Sequence, residues 1–322
     1  MRWRATVRVG DVQEAGRMKF TEIGQQLRAY RLESGLRAEE IAARLGVSRA
    51  ALYRYEKGEV IKLDTINRLA ELLKISPLSL LGIGVEYYSR PIGYFERLRQ
   101  IEETADQILM MNGPLCYLTT SDGYDPALAQ AFAEMVEATG SEQAANRATA
   151  EQVKGIQAAR KRMHATRRPS IICIISVHGV RHFLRTGVAG GWPLSERLRQ
   201  ICRQVAAAEV EHIATLMEAE PMGLQFGLLM AAEPTGDFTI LRARDRATLA
   251  VNAFRSDSHP TAAVGVAMIT AADEAVAAHQ RVAETLWRDA LKGLAGAARL
   301  RQIVRAEQDM GDSPMLGSNA AE

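Results

Sequence analysis

The stretch GVSRAALYRYEKGE, Gly46 to Glu59, gathers two arginines, two tyrosines and a lysine onto a segment with helical apolar spacing. A guanidinium is a planar, permanently charged fork that matches two acceptors at once, such as guanine O6/N7 or the oxygens of a phosphate. Arg49 and Arg54 are placed to offer such forks from one helix face, and Ala50 is small enough to let that face approach a thymine methyl. Lys57 and Lys62 suit phosphate contacts that set register rather than read bases. The competing reading is a solvated surface, the usual fate of charge on a helix. Against it, Arg49, Arg54, Lys57 and Lys62 face only Glu56 and Glu59 in this segment. The balance favours a helix built to lie in a nucleic-acid groove.

Such a helix needs a scaffold. From Thr21 the chain reads as short helices with short breaks: a first helix capped by Thr21 with Ile23, Leu27, Tyr30 and Leu32 inward, stopped by Ser34–Leu36. A second, RAEEIAARL, turns Ile41, Ala42 and Leu45 inward and ends at Gly46. Ser48 caps the third, RAALYRYEK, with Leu52 and Tyr55 inward and Gly58 as its stop. Asp64 opens TINRLAELL, and Ser76-Pro77 starts a last short helix. Small Ala42 lets the third helix come close, and Gly46 permits the turn between the two. Ser48, Arg49, Ala50, Tyr53 and Arg54 are then left on the outer face.

The segments IGQQLRAYRLESGL, EEIAARLGVSRAALYRYEKGE and LDTINRLAELLKISPLSLL together resemble the phage-repressor (Cro/C1-type, or xenobiotic-response-element) helix-turn-helix family over residues 20–82. The resemblance implies a five-helix domain that binds double-stranded operator DNA, usually as a homodimer on a palindrome. It also implies that Arg31 of the first helix pairs with Glu56 as a structural couple. One position departs from the family pattern: where Thr or Ser then Gln commonly caps the second helix and holds a phosphate, this chain has Arg37-Ala38. Arg37 is expected to reach a phosphate itself.

Beyond this unit, Leu98, Ile101, Ala105 and Ile108 repeat at 3-4-3 spacing, a short heptad seam on a connector helix that either dimerises or packs on the next domain. After Asn112-Gly113 the pattern becomes α/β. PLCYLTT reads as a buried strand, then helices PALAQAFAEMVEA and AEQVKGIQAARKRMHAT lead to the strand IICIISV. A long helix over about 194–219 is followed by strands near 223–231, 237–243, 246–253 and 262–270 and a closing helix from Ala271. The expected fold is a five-helix domain followed by an α/β sandwich with a mixed sheet.

The order of elements, with Trp287 late in the closing helix, resembles half of a phospholipase-D-like fold in a catalytically inactive, sensing form. The His-x-Lys-x4-Asp motif of the enzymes is absent: ARDRATLAV has no histidine, and His259 precedes Pro-Thr. Thr119, Thr120 and Ser121 after the first strand, with His178 and Arg181 after IICIISV, are expected to hold an anionic small-molecule effector, strand ends being the common ligand position in such domains. The alternative for each is a solvated basic loop. His178-x3-His182 offers only two ligands where structural metal sites take four, so no metal and no cofactor are expected.

The 322 residues carry a net charge of +2, so any DNA contact is local rather than a general basic coat. Cys116, Cys173 and Cys202 form no CxxC and sit in apolar or helical settings, as reduced cysteines of a cytoplasmic protein do. MRWRATVRVGDV lacks the apolar core of a secretion signal, and no run approaches the ~18 apolar residues of a membrane span. The expected organisation is a disordered extension over 1–17 (with Met18 as an alternative start), a DNA-binding domain over 18–88, a connector over 89–112, an α/β domain over 113–306 and a disordered tail over 307–322. The whole reads as a DNA-binding regulator, a repressor by default, with a sensing or oligomerising second domain and no catalysis. A hydrolase- or transferase-type second domain, or a ligand-independent scaffold, are the alternatives.

Overall fold

The computed structural model describes residues 9–111, 113–139, 144–231, 236–254 and 265–312. Its N-terminal part is helical, and the remainder is built on a mixed seven-stranded sheet with helices on both faces. Helix α1 runs Val9–Ser34, so residues 9–17 are helical where disorder is expected, and Thr21 lies inside the helix instead of capping it. No proline stands between Val9 and Thr21 to stop the helix there. Residues 1–8 and 313–322, the outer parts of the expected extension and tail, lie outside the described residues.

Helices α2 (Ala38–Leu45), α3 (Arg49–Glu56), α4 (Leu63–Leu73) and α5 (Pro77–Leu80) follow as the sequence indicates. Leu27, Ile41, Leu52 and Leu69 are fully buried at their centre. Gly46 ends α2 at φ +70, a left-handed conformation that costs a side-chain-bearing residue, and donates its N–H back to Ala43. Gly24 serves a different need: a Cβ there would lie 2.5 Å from the Tyr55 carbonyl oxygen, so α1 crosses the end of α3 closely only because the side chain is missing.

The sheet order is β1-β7-β6-β5-β2-β3-β4, from strands β1 (Val85–Tyr88), β2 (Gln107–Met111), β3 (Ser170–Ser176), β4 (Leu224–Leu229), β5 (Asp237–Arg242), β6 (Ala247–Asn252) and β7 (Ala267–Thr270). β2, β3 and β4 are parallel, and the other pairings are antiparallel. The parallel crossovers carry α7 (Tyr124–Thr139) and α8 (Ala144–Arg167), then α9 (Val177–Thr186) and α10 (Glu196–Ala219), as parallel strands require. Successive residues of β3 serve opposite faces: Ile171, Cys173 and Ile175 join the large core, and Ile174 joins a smaller one beneath α11 (Asp273–Asp289).

Several sequence expectations are corrected. The buried strand between β5 and β3 is QILMM, not PLCYLTT; the latter holds a single 3₁₀ turn, Tyr117–Thr119. Pro114 lacks a ladder donor, and the Thr119 and Thr120 hydroxyls bond back to the Cys116 and Tyr117 carbonyls, closing the turn locally. The heptad seam does not form, because helix α6 (Pro91–Glu102) ends before Ala105 and Ile108, which belong to a loop and to β2. Leu98, Ala105 and Ile108 are all buried within this chain, so the packing reading of the connector holds. The sheet therefore takes strands from before residue 113, beginning at Val85. SVHGVRHFLRTG, for which a solvated basic loop is the alternative reading, forms helix α9 (Val177–Thr186), capped by Ser176, whose Oγ accepts from the Gly179 N–H at 3.0 Å. A further helix, α12 (Gly293–Asp312), packs on α10, so 307–312 are helical rather than tail.

The two parts share one continuous core, which passes from Leu27 and Tyr30 through Tyr88, Ile92 and Tyr94 to Phe254. Polar contacts reinforce the join. Glu33 of α1 accepts hydrogen bonds from the N–H groups of Ser89 (2.6 Å) and Arg90 (3.1 Å), capping the start of α6 with a carboxylate where the helix dipole favours one. Arg28 of α1 meets Glu96 of α6 at 2.8 Å.

Candidate nucleic-acid interface

Helix α3 is set by its ends. Ser48 has extended backbone and its Oγ accepts from the Ala51 N–H at 3.0 Å, while the Lys57 N–H closes the last turn on Tyr53 and Arg54 carbonyls. Leu52 and Glu56 are the inward residues of this helix. Arg49, Ala50, Arg54 and Lys57 are exposed, with Tyr53 half-buried beside them. Arg37 and Lys62, both exposed, occupy the N-caps of α2 and α4. The Arg37 N–H donates to Glu40 Oε2 at 3.0 Å, which replaces part of the missing cap.

The two arginine forks are held in place. Arg49 Nη1 lies 2.7 Å from Glu39, and its Nη2 donates to Tyr53 Oη at 3.3 Å with the guanidinium 5.3 Å from the ring centre. The Tyr53 hydrogen bond and the Glu39 charge raise the Arg49 pKa above its ordinary value. Arg54 Nε donates to Glu59 at 3.0 Å. All four partners of these ion pairs are more than half exposed, and such pairs are worth little in water, so both forks are free to exchange a carboxylate for a nucleic-acid acceptor. Behind the face, Arg31 donates to both oxygens of Glu56, at 2.5 and 3.1 Å, as the family resemblance implies. Burial lowers the Arg31 pKa, but the Glu56 hydrogen bonds and charge outweigh it, leaving it raised.

The exposed charges over 37–62 are Arg37, Arg44, Arg49, Arg54, Lys57 and Lys62 against Glu39, Glu40 and Glu59, all exposed or half-buried. A surplus of positive charge thus sits on the exposed surface of this segment, in a chain that is near neutral overall. Sequence reasoning missed Glu39 and Glu59 as holders of the arginine forks. For Arg54 the i, i+5 step beyond a helix end gives no periodic signal, and for Arg49 the partner is on another helix.

The residues expected to bind an anionic effector have other partners. Thr119 and Thr120 close their own turn, and Ser121 gives both its N–H (3.0 Å) and its hydroxyl to Glu209, a buried carboxylate of α10. Arg181 turns instead toward Glu307 of α12 at 3.7 Å, and His178 is exposed on α9. Carboxylates thus take the Ser121 donors and lie near Arg181. Among the described residues a cavity of about 450 Å³ lies elsewhere, against the β3–β4 end of the sheet, lined by Gln107, Ile172, Met217, Gln225, Trp287 and Lys292. Among those residues no group of three His, Cys, Asp or Glu side chains is arranged for a metal, and no helix is long and apolar enough to cross a membrane.

A short helix closed by a left-handed glycine, followed by a capped helix with an exposed basic face and a buried rear, is a helix-turn-helix. The family model for the helix-turn-helix domain matches residues 22–80, the same helices α1–α5. No curated protein matches the chain in sequence. Among solved structures, TrmBL2, an archaeal chromatin protein with a novel mode of DNA binding, aligns at 12% identity over 71% of this chain with a TM-score of 0.31. The chain covers 62% of that protein, less than two thirds of its length, and a score at that level carries no functional argument.

Proposed function

We propose that the protein is a sequence-specific, DNA-binding transcription repressor of the phage-repressor type, acting as a homodimer or higher homo-oligomer on a palindromic operator. The carrying observation is α3: a Ser48-capped helix whose solvent face holds Arg49, Ala50, Tyr53 and Arg54 on the scaffold that Gly46 and Leu52 fix. Arg49 and Arg54 read base edges, and Arg37, Lys57 and Lys62 hold phosphates. The sheet domain, joined to α1 by shared core and by Glu33, acts as a non-catalytic sensing or oligomerisation module in a cytoplasmic protein. The Glu209 carboxylate on Ser121 and the position of Arg181 speak against the anion cluster as the effector site.

Arg54→Ala is expected to weaken binding to the preferred operator by about 1–3 kcal/mol and to relax base preference at one position. Lys62→Ala is expected to weaken all sequences alike and to reduce the salt dependence by about one released counterion. Selection of preferred sites from a random duplex pool, followed by binding titrations at several salt concentrations, measures both. Unchanged affinity and preference in Arg54→Ala would show that α3 does not read bases in this register.

A further inference from the structure

Beneath α11 the sheet presents Ile174 of β3 and Gly227 of β4, which are partners across the two strands. Gly227 makes room for the last turn of the helix, since a Cβ there would lie 2.8 Å from the Trp287 ring. Alternation puts Ser170, Ile172 and Gln225 on the same face, nearer the strand starts. There they line the cavity of about 450 Å³, with Trp287 and Met217 beside them. A space of roughly 300–1,000 Å³ is the ordinary size of a small-molecule site.

Two opposite charges line the same cavity without pairing with each other. Lys292 Nζ donates to the Ala290 carbonyl at 2.8 Å and lies 5.0 Å from the centre of the Trp287 ring, with no carboxylate partner among the described residues. Glu220, the exposed C-cap of α10, likewise has no cationic partner among them. The two are neighbours: a Cβ on Gly293, the residue after Lys292, would lie 2.5 Å from Glu220 Oε1. An ammonium and a carboxylate held this close, each lacking an ionic partner, complement a ligand that carries both charges on adjacent atoms. The Trp287 ring, Ile172 and Met217 supply an apolar wall next to them.

We propose that this cavity binds a free α-amino acid with an apolar side chain. Lys292 takes the carboxylate, Glu220 takes the ammonium group, and the side chain packs on Trp287, Ile172 and Met217. The carboxamide of Gln225 adds a donor and an acceptor at the exposed side of the site. A ligand with only one of the two charges leaves either Lys292 or Glu220 without a partner, so the site discriminates against it. The site gives the sheet domain the ligand of a sensing module, and it rests on the function proposed above only for that regulatory consequence.

Isothermal titration calorimetry on the full-length protein without DNA tests the site, with L-phenylalanine and L-leucine as probes. Saturable binding of at least one of them is expected, with a change in tryptophan emission that Trp287→Phe abolishes. 3-Phenylpropionate and phenethylamine each lack one charge and are expected to bind about tenfold or more weakly than L-phenylalanine. Lys292→Met is expected to erase the advantage of L-phenylalanine over phenethylamine, and Glu220→Gln its advantage over 3-phenylpropionate. The comparison of probes on the unaltered protein decides the matter even where a variant fails to fold. Absence of saturable binding by both amino acids, or equal binding of L-phenylalanine and its two single-charge analogues, would overturn the proposal. Amino-acid binding by a protein that selects no duplex would overturn the DNA-binding reading and leave this site standing.

Discussion

Glu86→Ala is expected to lower the stability of the full-length protein by about 3–5 kcal/mol, the range seen when one member of a buried ion pair is removed. Glu86 lies on β1 with 4% of its surface exposed, where the helix-turn-helix part meets the sheet. Its carboxylate accepts hydrogen bonds from Arg97 Nε (2.9 Å) and Nη2 (3.1 Å), from Tyr88 Oη (2.7 Å) and from Gln26 Nε2 of α1 (2.8 Å). Burial alone lowers the Arg97 pKa, but the Glu86 charge and hydrogen bonds outweigh it and keep the guanidinium charged. Burial, then the Glu86 charge, pushes the Tyr88 phenol well up, so it stays protonated and donates. Alanine at 86 leaves a buried guanidinium without its counter-charge and an amide and a phenol without their acceptor, each an added cost.

The control is the double replacement Glu86→Leu with Arg97→Met, which removes both charges. It is expected to cost less than Glu86→Ala alone, because burying an ion pair has already consumed most of its Coulombic gain in desolvation. Chemical denaturation followed by circular dichroism decides the matter. A loss under 1 kcal/mol in Glu86→Ala would mean that water reaches the carboxylate and that the join between the two parts is looser than its geometry indicates.

The helix-turn-helix was legible because its information is local. Gly46 as stop, Ser48 as cap and Ser76-Pro77 as a helix start each act within a few residues, and all three are found in place. IICIISV was legible for a similar reason: an apolar, β-branched run of that length has few uses other than a buried strand. QILMM was hidden because Ile108 continues a helical spacing that Leu98 begins, so the same residues satisfy two periods. The Asp106 N–H, bonded to the Arg242 carbonyl at 2.7 Å, belongs to the sheet, and a contact across so many residues leaves no mark on local pattern. The same holds for Glu33 on Ser89, Gln26 on Glu86 and Glu209 on Ser121. The anion cluster shows the same limit: sequence groups the donors but does not reveal Glu209, the buried carboxylate that already holds one of them.

Glu56→Ala carries the second large effect, expected at about 3 kcal/mol of stability, by the same loss of a partner to a buried charge. Glu56 is a buried residue on the rear of α3, and its side chain is only 4% exposed. Removing it leaves the Arg31 guanidinium, itself 13% exposed, facing the end of α3 without the two hydrogen bonds that fix α1 against it. Arg31 also lies 5.9 Å from the Tyr53 ring centre, so the disturbance reaches the face of α3 proposed to meet DNA. Stability and operator affinity are therefore expected to fall together, although Glu56 itself would touch no DNA. The full-length chain is the right material, since Tyr30 of α1 stacks on Tyr88 at 5.4 Å and a fragment ending near residue 88 would lose the α6 contacts of Glu33. Glu56→Gln keeps an acceptor for Arg31 and is expected to recover part of the stability. If Glu56→Ala left the unfolding midpoint unchanged, the Arg31–Glu56 pair would not be what holds α3 to α1, and the close approach at Gly24 would have to account for that packing by itself.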